Sequence, residues 1–266
     1  MFAVLADRAV VRVAGAGARA FLQGLLTCDM DKVGAGHAAY GALLSPQGKI
    51  LFDFFVAEKT DEDFWFDVPA SLTDDFIKRL GFYRLRAKIL IERMPEVQVC
   101  AAWGSDAVPE GALMRFADPR AVALGTRGFL SGASDGGARA AYDAHRIKLG
   151  VPEGGVDFTY GETFPHEANL DRLNGVDFKK GCYVGQEVVS RVEHRGTARK
   201  RIARVTFDGD APERGAAVSA GDVTLGAMGS STAGHGLAML RLDKVEEAAA
   251  KGVEIVAGAT ALRVLA

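Results

Sequence analysis

Lys180-Gly181-Cys182-Tyr183-Val184-Gly185-Gln186-Glu187, running on into Val188-Val189-Ser190-Arg191, is the most distinctive stretch of this 266-residue chain. A cysteine stands between two glycines, behind Lys179 and Lys180, and just before a helix-like run. A thiol near a helix N-terminus and near lysines ionises more readily than a free one. The flanking glycines let another backbone or a ligand come close. Cys182 thus suits a nucleophile, a redox sensor or a metal ligand completed by another chain. The plain alternative is a small buried residue at a tight turn. No His/Cys set accompanies it, so no complete metal site within the chain is expected.

A basic run follows. Arg191, Arg195, Arg199, Lys200, Arg201 and Arg204 fall close together with His194 among them, opposed locally by Glu193. The whole chain carries 32 Lys+Arg and 34 Asp+Glu, a formal net charge of −2, so this is a local asymmetry. It suits a polyanionic ligand or RNA, or simply a solvated face. No aromatic residue lies between Tyr183 and Phe207 to stack on bases, so nucleic acid is not the expected partner.

Upstream, Gly48-Lys49-Ile50-Leu51-Phe52-Asp53-Phe54 sets a carboxylate in a strongly apolar strand. Buried and unpaired, such an acid has a raised pKa suited to proton transfer or to a protonated heterocycle. The plain alternative is that strand alternation turns Asp53 to the solvent face with Leu51 and Phe55, but both neighbours are apolar, so that face is not plainly wet. Glu167, in Pro165-His166-Glu167-Ala168-Asn169, is a second candidate acid on a loop. Gly15-Ala16-Gly17-Ala18-Arg19-Ala20 matches a dinucleotide fingerprint, but the following HAAYGALLSP lacks the acidic residue a Rossmann unit needs. A tight strand-to-helix turn is the better reading.

Strands are expected at 9–13, 50–57, 64–68, 86–91 and 97–102, with a five-residue hairpin loop between Glu58 and Phe64. Helices are expected at 18–26, from Ser71 through Leu72, Phe76 and Leu80 with Ser71 and Asp74 as a capping pair, and at 138–149. Residues 131–140, SGASDGGARA, read as a linker. Beyond Arg199, short strands at 201–207, 223–228, 237–242 and 260–265 suggest a small closed or sandwich-type β domain.

Composition sets the outer limits. Hydrophobic residues make up 48% and charged residues 25%, ordinary for a globular protein and unlike a disordered chain. Gly counts 32, which favours turns and bulges over a plain helical bundle. No apolar run is long enough to span a membrane. Cys28, Cys100 and Cys182 are too few and too scattered for a disulfide scaffold. With no signal-peptide pattern at the N-terminus, reduced thiols and a cytoplasmic protein are expected.

Together these segments resemble the YgfZ family of folate-binding proteins, whose mitochondrial relatives assist iron–sulfur cluster assembly. KGCYVGQEVVSR is similar to the family signature, and VAGAGARAFLQGLLTCD, LLSPQGKILFDFFV, FYRLRAKI, HRIKLGVPEGG and FPHEANLD look like further family segments. The family in turn resembles the glycine cleavage T-protein, a tetrahydrofolate-dependent aminomethyltransferase. The resemblance implies an α+β, T-protein-like three-domain ring with a C-terminal β-barrel. It divides the chain into 1–43 with 138–198, a ferredoxin-like 44–137, and 199–266. Tetrahydrofolate would sit in the central hole, held by Asp53, Arg84, Arg86, Glu167, Lys180, Gln186 and Arg191. Cys182 would be the functional thiol, and iron–sulfur proteins or their assembly factors the partners. Phe52-Asp53 stands where the T-protein has an acid pair, and Lys148 where it has Glu, so the resemblance implies an accessory protein rather than an aminomethyltransferase.

Overall fold

The computed structural model of the chain describes residues 1–132, 139–196 and 199–265. The elements are β1 Phe2–Val4, β2 Arg8–Ala14, α1 Ala18–Gln23, β3 Ala39–Leu44, β4 Ile50–Thr60, β5 Asp63–Pro69, α2 Thr73–Arg84 and β6 Leu90–Arg93. They continue with β7 Val97–Ala102, β8 Met114–Ala117, β9 Thr126–Ser131, α3 Arg139–Lys148 and α4 Gln186–Arg195. The last third holds β10 Lys200–Thr206, β11 Ala217–Ala220, β12 Val223–Thr232, β13 His235–Arg241, α5 Leu242–Ala250, β14 Ile255–Ala257 and β15 Thr260–Leu265.

Strands β3-β4-β5-β2-β6 form a five-stranded antiparallel sheet, and β1-β7-β9-β8 a four-stranded one. β3 and β4 pair across the expected division at residue 43, and β1 pairs with β7. The other two expected divisions, at 137/138 and 198/199, and most of the 131–140 linker lie against or within residues outside the described ones.

β4 explains why the large sheet is central. Phe52, Phe54 and Val56 point into a core with Val11, Val13, Phe66 and Phe76 of α2. Phe55 and Ala57 point the other way, into a second core with Tyr40, Trp65, Phe129 and Tyr142. Both faces are dry, so of the two readings of Asp53 the solvent-facing one does not hold: Asp53 is 4% exposed, and it shares its face with Phe55.

β10-β13-β12-β11-β14-β15 close into a barrel, β15 returning to β10 through Arg204↔Leu265 and Thr206↔Arg263. Closure removes free sheet edges. β11 and β14 carried no sequence signal, being four and three residues long.

Four local expectations need correction. The hairpin between β4 and β5 turns on Asp61-Glu62 alone, Glu62 taking φ 57. α1 stops at Gln23; Leu25 and Leu26 continue only as buried residues, Leu26 bridging Leu43. The strand expected at 86–91 starts only at Leu90 and runs to Arg93, because Leu85 at φ 46 turns the chain after α2 and pairing resumes at Leu90. The hydroxyl that serves the start of α2 is that of Thr73, donating 3.0 Å to the Ala70 carbonyl, not that of Ser71.

Candidate functional site

Gly185 holds φ 80 at the N-cap of α4, and a Cβ there would stand 2.5 Å from the Ser45 carbonyl oxygen and 3.0 Å from Gly48 Cα. Gly48, at φ 79 in the β3–β4 turn, faces the Val188 side chain in return. The two glycines seat the start of α4 on the turn that leads into the Asp53 strand.

The other end of the cysteine loop is tied by Lys180. Its ammonium donates to the carbonyls of Gln23 (2.8 Å), Leu26 (2.7 Å) and Cys28 (2.7 Å), closing the end of α1. Burial lowers its pKa, against the pull of Cys28 and nearby aspartates. Lys180 is therefore turned inward, its ammonium spent on three carbonyls. Asp177 orders the residues before it, accepting the Lys179 amide at 2.8 Å and the Lys180 amide at 3.1 Å. Between these anchors Cys182 is exposed, and among the described residues its thiol has no hydrogen-bond partner. Cys28 and Cys100 are buried, and burial pushes their thiols up to about 12 and about 11.

Asp53 lies in the centre of the molecule. Tyr40 Oη donates to its Oδ2 at 3.0 Å and Tyr160 Oη to its Oδ1. Burial first, then the Asp53 charge, holds both phenols well above their ordinary pKa, so both remain donors. Tyr160 reaches Asp53 because Gly154 has no side chain: a Cβ there would stand 2.0 Å from the phenolic oxygen. The expectation of an unpaired buried acid thus gives way to a carboxylate with both oxygens engaged.

Around it lies a buried ionic network. Arg8 Nε pairs with Asp67 Oδ1 at 2.5 Å, and Arg127 Nε reaches Asp67 Oδ2 at 3.1 Å. Arg120 pairs with Asp118 at 2.7 Å, and both Arg120 and Arg127 donate to Tyr142 Oη at 2.9 Å. The Arg127 and Arg120 guanidiniums lie 4.0 and 4.6 Å from the centre of the Phe55 ring. Burial alone would raise the Asp67 pKa; the two arginines outweigh it and hold the carboxyl below its ordinary value. A cavity of ≈ 20 Å³ remains among Arg8, Asp53, Phe55, Arg127, Tyr142 and Glu153. That is room for about one water. Tyr40, Tyr160, Arg8 and Arg127 were not foreseen; the Tyr40↔Phe55 register that aims Tyr40 at this face emerges only from the β3–β4 pairing.

The remaining expected site residues are dispersed. Glu167 turns to its own loop, accepting the Phe164 amide at 2.8 Å. Arg84 donates to the Ile89 carbonyl at 3.2 Å on the exposed stretch set by Leu85; Arg86 is exposed beside it, and neither lines the central cavity. Gln186 opens α4 half-buried, and Arg191 is exposed further along it. The basic run divides. Arg201 is spent on Asp171 (2.9 and 2.7 Å) and the His166 carbonyl (2.7 Å), and Arg204 lies over Gly150, while Arg191, His194, Arg195, Arg199 and Lys200 are exposed. Gly15 and Gly17 have φ 129 and 87, and a Cβ on Gly15 would stand 2.5 Å from the Lys88 carbonyl oxygen, so the glycine motif is a packed turn.

His166, Asp171 and Glu193 are the one group of His, Cys or carboxylate side chains among the described residues close enough to share a metal. Arg201 already holds both Asp171 oxygens, and a cation there would face that guanidinium. Structural pairing is the better account.

Comparison with known proteins bears on the whole chain. Residues 7–103 match the GCVT N-terminal domain model and 199–265 the CAF17 C-terminal beta-barrel domain model. The mouse mitochondrial iron–sulfur cluster assembly factor IBA57 is 34% identical, over 91% of this chain and 78% of its own length. Its human counterpart is 32% identical with the same coverage. The homologue from Mycosarcoma maydis is 36% identical over 75% of this chain, which spans only 55% of that longer relative. The crystal structure of glycine cleavage system aminomethyltransferase T from Bartonella henselae superposes with a TM-score of 0.76, covering 99% of this chain and 84% of that one at 15% identity. The expected T-protein-like architecture with a C-terminal barrel is therefore present. The expected cytoplasmic location is corrected, since these assembly-factor relatives are named as mitochondrial proteins. The relatives carry the assembly-factor name rather than YgfZ, and by that similarity the chain belongs to the IBA57 family of iron–sulfur cluster assembly factors.

Proposed function

We propose that this chain is an accessory factor in iron–sulfur cluster assembly, with Cys182 as the group that meets the cluster or the client and a reduced folate held at the centre of the fold. The observation that carries the first part is the exposed Cys182 thiol on a loop tied at both ends, in a chain from a family named for cluster assembly. A thiolate is the soft ligand that iron–sulfur clusters take. The cluster is cargo in this reading, and a lone thiolate needs ligands from a partner to hold it.

The donor set at the centre suits a reduced folate. Asp53 offers a buried carboxylate to the donor edge of a pterin, Phe55 and Tyr142 offer aromatic faces, and arginines line the same space. The cavity as it stands is too small for a pterin. When bound, a reduced folate supplies an oxidisable, one-carbon-carrying amine. This chain's residues would bind and orient it and keep water away.

Two measurements test the reading. Transfer of a cluster from a loaded donor to an apo client, followed by visible circular dichroism, should stop in Cys182→Ala while the melting temperature holds. Full transfer by that variant removes the thiol from the mechanism. Calorimetric titration with tetrahydrofolate should give saturable binding that weakens in Asp53→Ala; no binding by the unaltered protein removes the folate part and leaves the thiol part standing.

A further inference from the structure

One side chain from outside the sheet reaches the Asp53 carboxylate that lines the central cavity. Tyr160 comes from the segment between α3 and α4, and that segment is fixed independently of it. Glu153 is bound to Arg139, and also to Arg146 at 3.0 Å. Its amide donates to Asp157 Oδ2 at 2.9 Å, and the Gly155 amide donates to the Phe158 carbonyl at 2.8 Å. Asp157 is held in turn by Arg146 at 2.8 Å. The backbone on either side of Tyr160 keeps its own bonds, the Gly161 amide donating to the Ile50 carbonyl at 2.7 Å.

The two tyrosines on Asp53 are not equivalent. Tyr40 is 1% exposed, fixed on β3 opposite Phe55 of β4 and packed on that ring at 5.2 Å between ring centres. Tyr160 is half-buried, beside the exposed Thr159 and Gly161; its ring meets Phe158 edge-on at 5.5 Å between centres, and its hydroxyl passes over Gly154. A rotation about its side-chain bonds would release Asp53 Oδ1 without breaking a backbone hydrogen bond. Tyr40 would stay, holding Oδ2.

We propose that Tyr160 is a latch on the central site: its hydroxyl occupies the Asp53 oxygen that a planar heterocycle with adjacent N–H donors takes, and such a ligand enters by displacing it. This inference rests on the folate reading above and adds to it the residue that sets access and affinity. The ligand class follows from what is exposed when the latch swings out. One carboxylate oxygen becomes available beside the Phe55 and Tyr142 rings, which selects a flat molecule presenting donors along one edge. Tyr160 then acts as a positioning and gating residue, competing with the ligand.

The test uses the whole chain and 5-formyltetrahydrofolate, a reduced folate that resists oxidation, followed by calorimetry. Tyr160→Phe keeps the ring and removes the competing hydroxyl, and should bind about tenfold tighter, the net effect of one hydrogen bond. Tyr160→Ala, which also clears space, should raise the association rate in stopped-flow fluorescence, while Asp53→Asn should weaken binding in either background. Melting temperatures of all variants control for folding. Binding by the unaltered chain with equal or weaker binding by Tyr160→Phe overturns the latch and leaves the folate reading intact. No binding by the unaltered chain, Tyr160→Phe and Tyr160→Ala overturns both. Binding that appears only in the Tyr160 variants establishes the latch at its strongest.

Discussion

Gly185 and Gly48 face each other with no side chain between them, a Cβ on the first standing 3.0 Å from the Cα of the second. The contact joins the cysteine loop to the turn that starts the Asp53 strand. Both residues have φ near +80, the left-handed region in which other residues are strained. Gly185→Ala meets the Ser45 carbonyl as well, so it should destabilise the fold by roughly 2–4 kcal/mol and lower the melting temperature by several degrees. An alanine that melts with the unaltered protein would show that α4 is not seated as described.

Lys180 is assigned to structure by its three carbonyl partners. Lys180→Met fills similar space and leaves those oxygens without a donor, a loss of about 2–5 kcal/mol. Lys179, exposed one residue earlier, should tolerate the same change within about 0.5 kcal/mol. Equal denaturant midpoints for the two variants would return Lys180 to the list of ligand-binding candidates.

The cysteines should separate by reactivity. At pH 8 iodoacetamide should label Cys182 in the native protein and spare Cys28 and Cys100, which are buried with thiols near 12 and 11. Peptide mass spectrometry before and after denaturation reads this directly. Rapid native labelling at Cys28 would contradict its burial against Gly41.

Asp67 carries an acid dependence. Its carboxyl is depressed by Arg127 and Arg8 below the ordinary 3.8, so its contribution is present above about pH 4 and lost as pH falls through the lower folded value. The melting temperature should change little from pH 7 to 5 as far as Asp67 is concerned and drop below pH 4. Asp67→Asn should flatten that drop and cost about 3–5 kcal/mol at neutral pH, since two buried arginines lose their charge partner. A neutral melt unchanged by Asp67→Asn would refute the network.

Much of the fold was legible because its signals are local. The aromatic β4–β5 pair, the helical spacing of Phe76 and Leu80, and the Gly-punctuated strands after Arg199 all register within a few residues. What failed depended on tertiary context. Nothing local to Leu85 announces a left-handed residue that delays the strand expected at 86–91 to Leu90. β11 and β14 are too short to carry a period. Asp53 stands out as a carboxylate among aromatics, yet its alternation leaves burial and exposure both open, because no single-strand pattern shows that a sheet is covered on both faces. Lys180 and Gln186 stand in the same octet as Cys182, and sequence proximity suggested a shared task. Their side chains leave the backbone in different directions, and Lys180 serves a helix more than 150 residues away in the chain.

The two anchorages of the cysteine loop have a mechanical consequence. With Lys180 pinned to α1 and Gly185 wedged against the β3–β4 turn, the thiol rides on a span of four intervening residues. Such a span cannot pay out as a tether or swing like an arm. Any cargo or client reacting at this sulfur must travel the whole distance itself and make contact with the body of the molecule, so selectivity among clients falls to the shape of the surrounding surface rather than to the reach of the loop.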